Sequence, residues 1–411
     1  MEKHKKTLLE NFLSLSAWQA VNYIIPLITL PYQSRVLGVE KFGLVYFAIA
    51  FTVYFLVLTD FGFDLSATRE IAVKRHNKKI ISNIFSSVLT IKLLLVILSY
   101  IILVITTIFI PKIHDNWLLF HVSFITVIGY ALYPGWYFQG LEKMKYVSSI
   151  NILAKLVFLF SIFIFVKSES DYIMVPLLYS LGYLASGIIG IYFSIKHLGA
   201  KFYIPKLKSL KKQFKYSSNF FLSGVSSVLI TNTNSFCLGL TGSNINVGYY
   251  VAAEKIYLAM QGLSQPLNNS LYPFVAKNRD IKLYKKIFYI ACLLNVLACA
   301  IIFLLSKYII TIVYGQQMLP AYNILKIFCV IILFEFPSFL IGYPLIGAMG
   351  YTKEVNKSVI YSALFHLTGL CILYFTGNLN LNNVSYLIGF SAAITLLYRL
   401  RIIIKYNLWN N

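Results

Sequence analysis

The sequence predicts an all-α, polytopic membrane protein of about twelve transmembrane helices, arranged as two six-helix bundles around a central cavity. Two observations predict it. Of the 411 residues, 58% are hydrophobic and only 12% are charged, about half the charged share of a soluble domain. The apolar residues also come in blocks long enough to cross a bilayer, rather than at the spacing of a surface helix.

Reading those blocks against Gly, Pro and charged breaks places the spans near 12–35, 42–66, 81–110, 116–139, 146–166 and 172–195 in the first half. In the second half they fall near 214–240, 245–275, 284–306, 321–348, 354–376 and 383–405. The basic opening "MEKHKKTLLENF" leads into a full-length span with no small-residue cleavage site, so it reads as a retained helix and not a removable signal.

Basic residues sort by side. Alternate loops, with both termini among them, carry 27 Lys and Arg, and the opposite loops carry 5 (Arg35, Lys41, Lys112, Lys167 and Lys307). That asymmetry predicts cytoplasmic N- and C-termini. It also accounts for the net charge of +22 as topology and attraction to anionic membrane lipids, with no nucleic-acid partner.

The halves repeat weakly. "NFLS" (11–14) matches "NFFLS" (219–223), "LGVEKFGLVY" (37–46) matches "TGSNINVGYY" (241–250), and "PGWYFQG" (134–140) matches "PLIGAMG" (344–350). Three ordered matches suggest a duplicated six-helix unit, with both copies inserted in the same sense. The expected domains are residues 1–200 and 214–411, joined by a basic cytoplasmic linker at 201–213.

No enzyme signature is present: neither GxxxxGK[ST], HExxH, GxSxG nor a DxD pair occurs. No catalytic residue, metal site or cofactor is expected. The five cysteines show no CxxC spacing, and His366 reads as a packed core residue.

Polar and charged residues inside the spans carry the functional signal. Lipid cannot satisfy such groups, so they must face a wet cavity or another helix. Glu254, Gln261, Gln265 and Asn268 share one face of the eighth span, within about 60° at 100° per residue. Asn22, with Thr29 and Gln33, forms a stripe on the first span, and Asn219 and Ser226 do so on the seventh. Asn22, Asn219, Ser226, Gln261 and Gln265 are therefore the expected cavity-lining residues.

Ionisable residues in a span cost about 2.5–3.5 kcal/mol each and are functional by default. Lys92, Lys155 and Lys255 lie deep, and unpaired lysines in a cavity attract phosphate or another anion. The acids Asp60, Glu254 and Glu335 are expected to serve proton or sodium coupling, or charge balance. Glu254 and Lys255 diverge by 100° as neighbours on a helix, so a close bridge between them is not expected.

Five stretches, in order along the chain, resemble the Wzx-type flippases of the polysaccharide-transporter branch of the MOP superfamily, which have a MATE-like fold. They are "NYIIPLITLPYQSRVLGVEKFGLVYFA" (22–48), "DFGFDLSATREIA" (60–72), "YPGWYFQGLEKM" (133–144), "VGYYVAAEKI" (247–256) and "SLYPFVAK" (270–277). The resemblance implies an inner-membrane flippase that moves a polyprenyl-pyrophosphate-linked oligosaccharide, of the undecaprenyl type, to the periplasmic leaflet. It implies alternating access, coupling to a proton or sodium gradient and work alongside other polysaccharide-assembly proteins. Arg35, Lys92, Lys155 and Lys255 would then face the anionic head group. Two other classes compete: a drug/cation antiporter of the same superfamily, whose lumen would favour acids, and a membrane glycosyltransferase, for which the outward loops are too short.

Overall fold

The computed structural model describes the backbone of residues 2–262 and 264–409, and the side chains of 21–22, 24–218, 220–221, 232–262 and 264–409. Every regular element among the described residues is helical. The chain divides into two compact units, Met1–Asn232 and Thr233–Asn411.

The first unit opens with α1 (Glu2–Asp60), which is two helices in one run. Gly38 breaks the run with φ 67°, a backbone conformation that glycine adopts without steric cost. Then come α2 (Phe63–Lys74), α3 (Lys78–Phe109), the single turn α4 (Pro111–His114) and α5 (Trp117–Leu132). The short α6 (Gly135–Gly140), α7 (Met144–Phe165) and α8 (Met174–Lys196) follow. α5 packs along α8 so closely that a Cβ on Gly129 would lie 2.5 Å from the backbone of Tyr183 and Leu184. This is the close approach that small residues allow between membrane helices. α6 buries Trp136, Tyr137 and Phe138 against Phe85 and Ile71, which explains why "PGWYFQG" needs three aromatics in a row.

The linker belongs to this first unit, not between two domains. Ser82 accepts from the Lys201 N–H (3.2 Å), and Ser86 accepts from the Tyr203 N–H (3.2 Å) and donates to the Lys201 carbonyl (3.1 Å). Further on, the start of α9 (Leu207–Thr241) packs Phe214 and Phe221 on Phe61. The division therefore falls inside α9, about twenty residues beyond the expected linker.

The second unit continues with α10 (Asn244–Gly262), α11 (Gln265–Asn278), α12 (Ile281–Tyr314) and α13 (Ala321–Ile341). A wide π-turn (Gly342–Gly347) follows, then α14 (Thr352–Phe375) and α15 (Leu381–Lys405). α13 is its centre, packed by α10, α12 and α15. α12 lies at its edge: Leu293, Leu297, Ile301, Leu304, Tyr308 and Ile312 are each more than half exposed. Their spacing of three and four makes one continuous apolar stripe, the surface that hydrocarbon requires.

Nine stretches among the described residues are long and apolar enough to cross a membrane. The expected count was about twelve. One of the nine, Ile24–Lys74, has 51 residues and bends at Gly38, so at about 1.5 Å per residue it is more than twice a bilayer core. α10 ends at Gly262 and α11 begins at Gln265, which replaces the expected single span 245–275 with two shorter helices. Pro134 precedes the short helix α6, whereas Pro344 lies inside the π-turn that follows α13.

Candidate functional site

The first unit holds two span-embedded lysines in contrasting settings, one buried and one partly exposed. Lys92, on α3, is 1% exposed, with its ammonium 3.2 Å from Asp60 Oδ1 and 3.9 Å from Asp64 Oδ1. It also lies 5.1 Å above the Tyr130 ring, whose hydroxyl donates to Asp64 (3.0 Å). The expectation of an unpaired Lys92 facing an anion is therefore corrected. Asp60 ends the run of α1 and Asp64 opens α2, so the break between them brings two carboxylates to one cation.

Lys155, on α7, makes no ion pair among the described residues. Its ammonium donates to Asn22 Oδ1, so the α1 stripe meets α7 at this point. Lys155 also lines a small open cleft with Asn151, Phe158, Tyr179, Tyr183 and Ser186. The Asn151 amide donates to Tyr133 Oη (2.8 Å), and the Tyr179 and Tyr183 hydroxyls lie 3.3 Å apart. Phe158, Tyr179, Tyr183 and Tyr130 form a run of ring contacts from this cleft to the Lys92 cluster. A cation without a carboxylate, set among amide and phenol groups with aromatic faces, suits a ligand that is both anionic and rich in hydroxyls.

The rest of the α1 stripe serves the helices themselves. Thr29 donates to the Ile25 carbonyl (3.0 Å), and Gln33 accepts from Tyr46 Oη (3.0 Å). Arg35 is exposed, one turn before Gly38. Asn219 and Ser226 lie outside the residues whose side chains are described.

The second unit holds a polar network in its interior. Lys255 Nζ lies 3.6 Å from Glu254 Oε2, so the pair excluded on angular grounds is made. The four-carbon stem of lysine lets its ammonium swing back across the 100° between neighbours. Glu335, on α13, makes no ion pair among the described residues. It accepts from Tyr257 Oη and from the Gln261 amide (2.5 Å), both on α10. Gln265 falls on α11, beyond the helix break, so the shared-face argument holds for Glu254 and Gln261 and not for Gln265 and Asn268.

Sequence reasoning passed over two residues here. Arg399 was counted among the cytoplasmic terminal charges, yet it lies within α15 and is 7% exposed. Its guanidinium donates to the Ser358 hydroxyl (3.0 Å) and the Ser338 carbonyl (2.7 Å), tying α15 to α14 and α13. His366 is 1% exposed, as a core residue should be, but both ring nitrogens have polar partners. Nε2 lies 2.9 Å from Asn234 Oδ1, and Nδ1 lies 3.1 Å from Ser391 Oγ. The signal available for both was their position inside an apolar span.

Lipid-facing stripes, nine candidate spans among the described residues and ionisable groups deep within them define a multi-pass helical membrane protein. Its fold is that of the lipid II flippase MurJ in its inward closed conformation, at TM-score 0.75, with 95% of this chain and 87% of that one covered and 16% identity. An inward-facing multidrug resistance MATE family transporter of the MOP superfamily superposes at TM-score 0.67, with 93% and 96% covered and 14% identity. The chain belongs to the polysaccharide biosynthesis protein family, whose model matches residues 8–279. Two relatives carry the name "Putative O-antigen transporter". One, from Escherichia coli K12, is 27% identical over 373 residues, with 89% of this chain and 90% of that protein covered. The other, from Shigella dysenteriae, is 33% identical over 270 residues, with 65% and 67% covered.

Proposed function

We propose that this protein is a flippase that carries a polyprenyl-pyrophosphate-linked oligosaccharide, of the O-antigen or capsule type, from the cytoplasmic to the periplasmic leaflet of a bacterial inner membrane. The observation that carries the reading is Lys155: a span-embedded cation with no carboxylate partner among the described residues, opening on a cleft of tyrosines and amides. The pyrophosphate and the glycan cannot cross hydrocarbon unaided, while the polyprenyl tail stays in lipid throughout. A midplane cation lowers the barrier for the anionic part, and aromatic faces with amide and hydroxyl groups suit sugar rings. Family membership and the names of the two relatives support the same class of cargo. Alternating access, driven by a proton or sodium gradient, is the proposed mode. The reading makes the protein a transporter and not an enzyme.

The test is surface glycan in a deletion strain complemented by variants. Lys155→Ala should lower surface polysaccharide while the protein stays at normal abundance in the membrane, and Lys255→Ala should do so to a lesser degree. Unchanged glycan with Lys155→Ala removes the proposed role of this cation. Raised sensitivity to dyes or drugs in the deletion strain, with normal glycan, favours the antiporter reading instead.

A further inference from the structure

The second unit contains a chain of polar groups that joins a buried histidine to a buried carboxylate across three helices. On α14, His366 Nε2 faces Asn234 Oδ1 of α9 at 2.9 Å. The Asn234 amide is hydrogen-bonded to Tyr250 of α10, and the Tyr250 hydroxyl is bonded to Glu254 on the same helix. With Asn234 Oδ1 accepting from the imidazole, its NH₂ is left to donate to the phenol oxygen. The phenol hydrogen is then left for the carboxylate. Every donor in the chain points from His366 toward Glu254.

The other side of the ring is built for two states. Ser391 Oγ lies 3.1 Å from His366 Nδ1 and 2.8 Å from the Leu387 carbonyl. When the imidazole is neutral, the single hydroxyl hydrogen can be given to Nδ1. When Nδ1 is protonated, it donates to Ser391 Oγ and the hydroxyl hydrogen turns to Leu387. One hydroxyl rotation thus satisfies both forms, with no backbone movement and no stranded donor.

Charge balance in the interior points the same way. Glu254 and Glu335 are two carboxylates, with Lys255 alone paired to one of them. Tyr250 lies within electrostatic reach of both acids. Of the other ionisable groups on the elements packed around α14, Tyr386, Arg401 and Lys405 lie on α15 with Arg399 and Tyr398, and the last two are held by polar partners. Arg399 of α15 is held by Ser338 and Ser358, and Tyr398 donates to Glu354 (2.7 Å). Tyr343 of the π-turn donates to Asn356 (2.6 Å). Cys237 of α9 and Cys371 of α14 carry no positive charge. With both acids ionised the cluster is one positive charge short.

We propose that His366 is a proton-binding site of the transport cycle, taking one proton whose charge is balanced by Glu254, at the far end of the Asn234–Tyr250 bridge, and by the field of Glu335 beside it. This deepens the gradient-coupled reading above and rests on it. Protonation forms one N–H bond at Nδ1, and release returns that proton to solvent.

Two measurements on the full-length protein test it. Histidine labelled with ¹⁵N, in protein purified in detergent, is titrated from about pH 8 downward through the window in which histidine ordinarily changes charge and on to the acid limit of the folded protein, since His366 is 1% exposed. The His366 signal, assigned by its loss in His366→Gln, should pass from neutral to doubly protonated. Glu254→Gln and Glu335→Gln should each move its midpoint to lower pH. A His366 signal that stays neutral across the range overturns the proposal, as does a midpoint that neither variant moves. In proteoliposomes, an imposed pH gradient should accelerate flipping of a lipid-linked oligosaccharide by the wild-type protein. His366→Gln should lose that acceleration relative to its own gradient-free rate, and full acceleration in the variant overturns the coupling role. Wild-type vesicles that flip no lipid-linked oligosaccharide, with a His366 that titrates, overturn the flippase reading and leave the proton site standing.

Discussion

Lys92 and Lys155 are the same residue type at similar depth, and their neighbours give them opposite roles. Lys92 joins α3 to two carboxylates and is nearly inaccessible. Removing it leaves Asp60 and Asp64 uncompensated, a change that costs about 3–5 kcal/mol at fully buried pairs and less here, because the Asp64 side chain is 45% exposed and screened by solvent. Lys92→Met should therefore lower the thermal unfolding midpoint sharply in detergent, and adding Asp60→Asn and Asp64→Asn should recover much of it. A midpoint equal to wild type in the single variant would show that the triad is not structural. The depth of both lysines was legible in the sequence, because each lies about ten residues inside a span that continues with an apolar run, "LLLVIL" after Lys92 and "LVFLF" after Lys155. Their partners were not: Asp60 is 32 residues from Lys92, and Asn22 is 133 from Lys155. Arg399 was misplaced for a related reason. It lies six residues from the end of α15, where spacing alone cannot separate a snorkelling loop charge from one received by Ser338 and Ser358.

Among the elements, the tightest contact is that of α5 with α8. Backbone meets backbone there, so Gly129→Leu has no side chain to displace and must push the helices apart. Overpacking of this kind costs about 1–3 kcal/mol or more. The variant should unfold at lower temperature and lose surface glycan together, whereas Lys155→Ala should lose glycan alone. Unchanged unfolding would contradict the close approach. Helix positions were readable from apolar blocks, but one interruption was missed although its signals were present. Gly262 and Pro266 flank the end of α10 and the start of α11, and together they mark a break that the polar stripe obscured. The angular argument against Glu254–Lys255 failed because it treated side chains as points on a cylinder rather than as flexible stems.

For the whole molecule, composition and charge sidedness carried most of the information. The 27-to-5 distribution of basic residues predicts that reporters fused at the C-terminus or within residues 201–206 signal the cytoplasm. A reporter within 167–171 should signal the opposite side. The reverse pattern would invert every loop and, with it, the direction of transport. The internal repeat rests on three short sequence matches, and the third pair falls where helices are interrupted, before α6 and in the π-turn after α13. The boundary between units was not visible, because what draws residues 201–232 into the first unit is hydrogen bonding and ring stacking, neither of which leaves a periodic trace.

The stitching of Lys201 and Tyr203 to Ser82 and Ser86 has a consequence for how this segment varies. Two serine hydroxyls grip main-chain groups, so they recognise the spacing of the peptide, and only the Tyr203 hydroxyl adds a side-chain bond, to the Lys79 carbonyl (3.2 Å). Substitutions other than proline at 201, 202 and 204 should pass almost unnoticed, while the insertion or deletion of one residue would move every later donor out of reach of its serine.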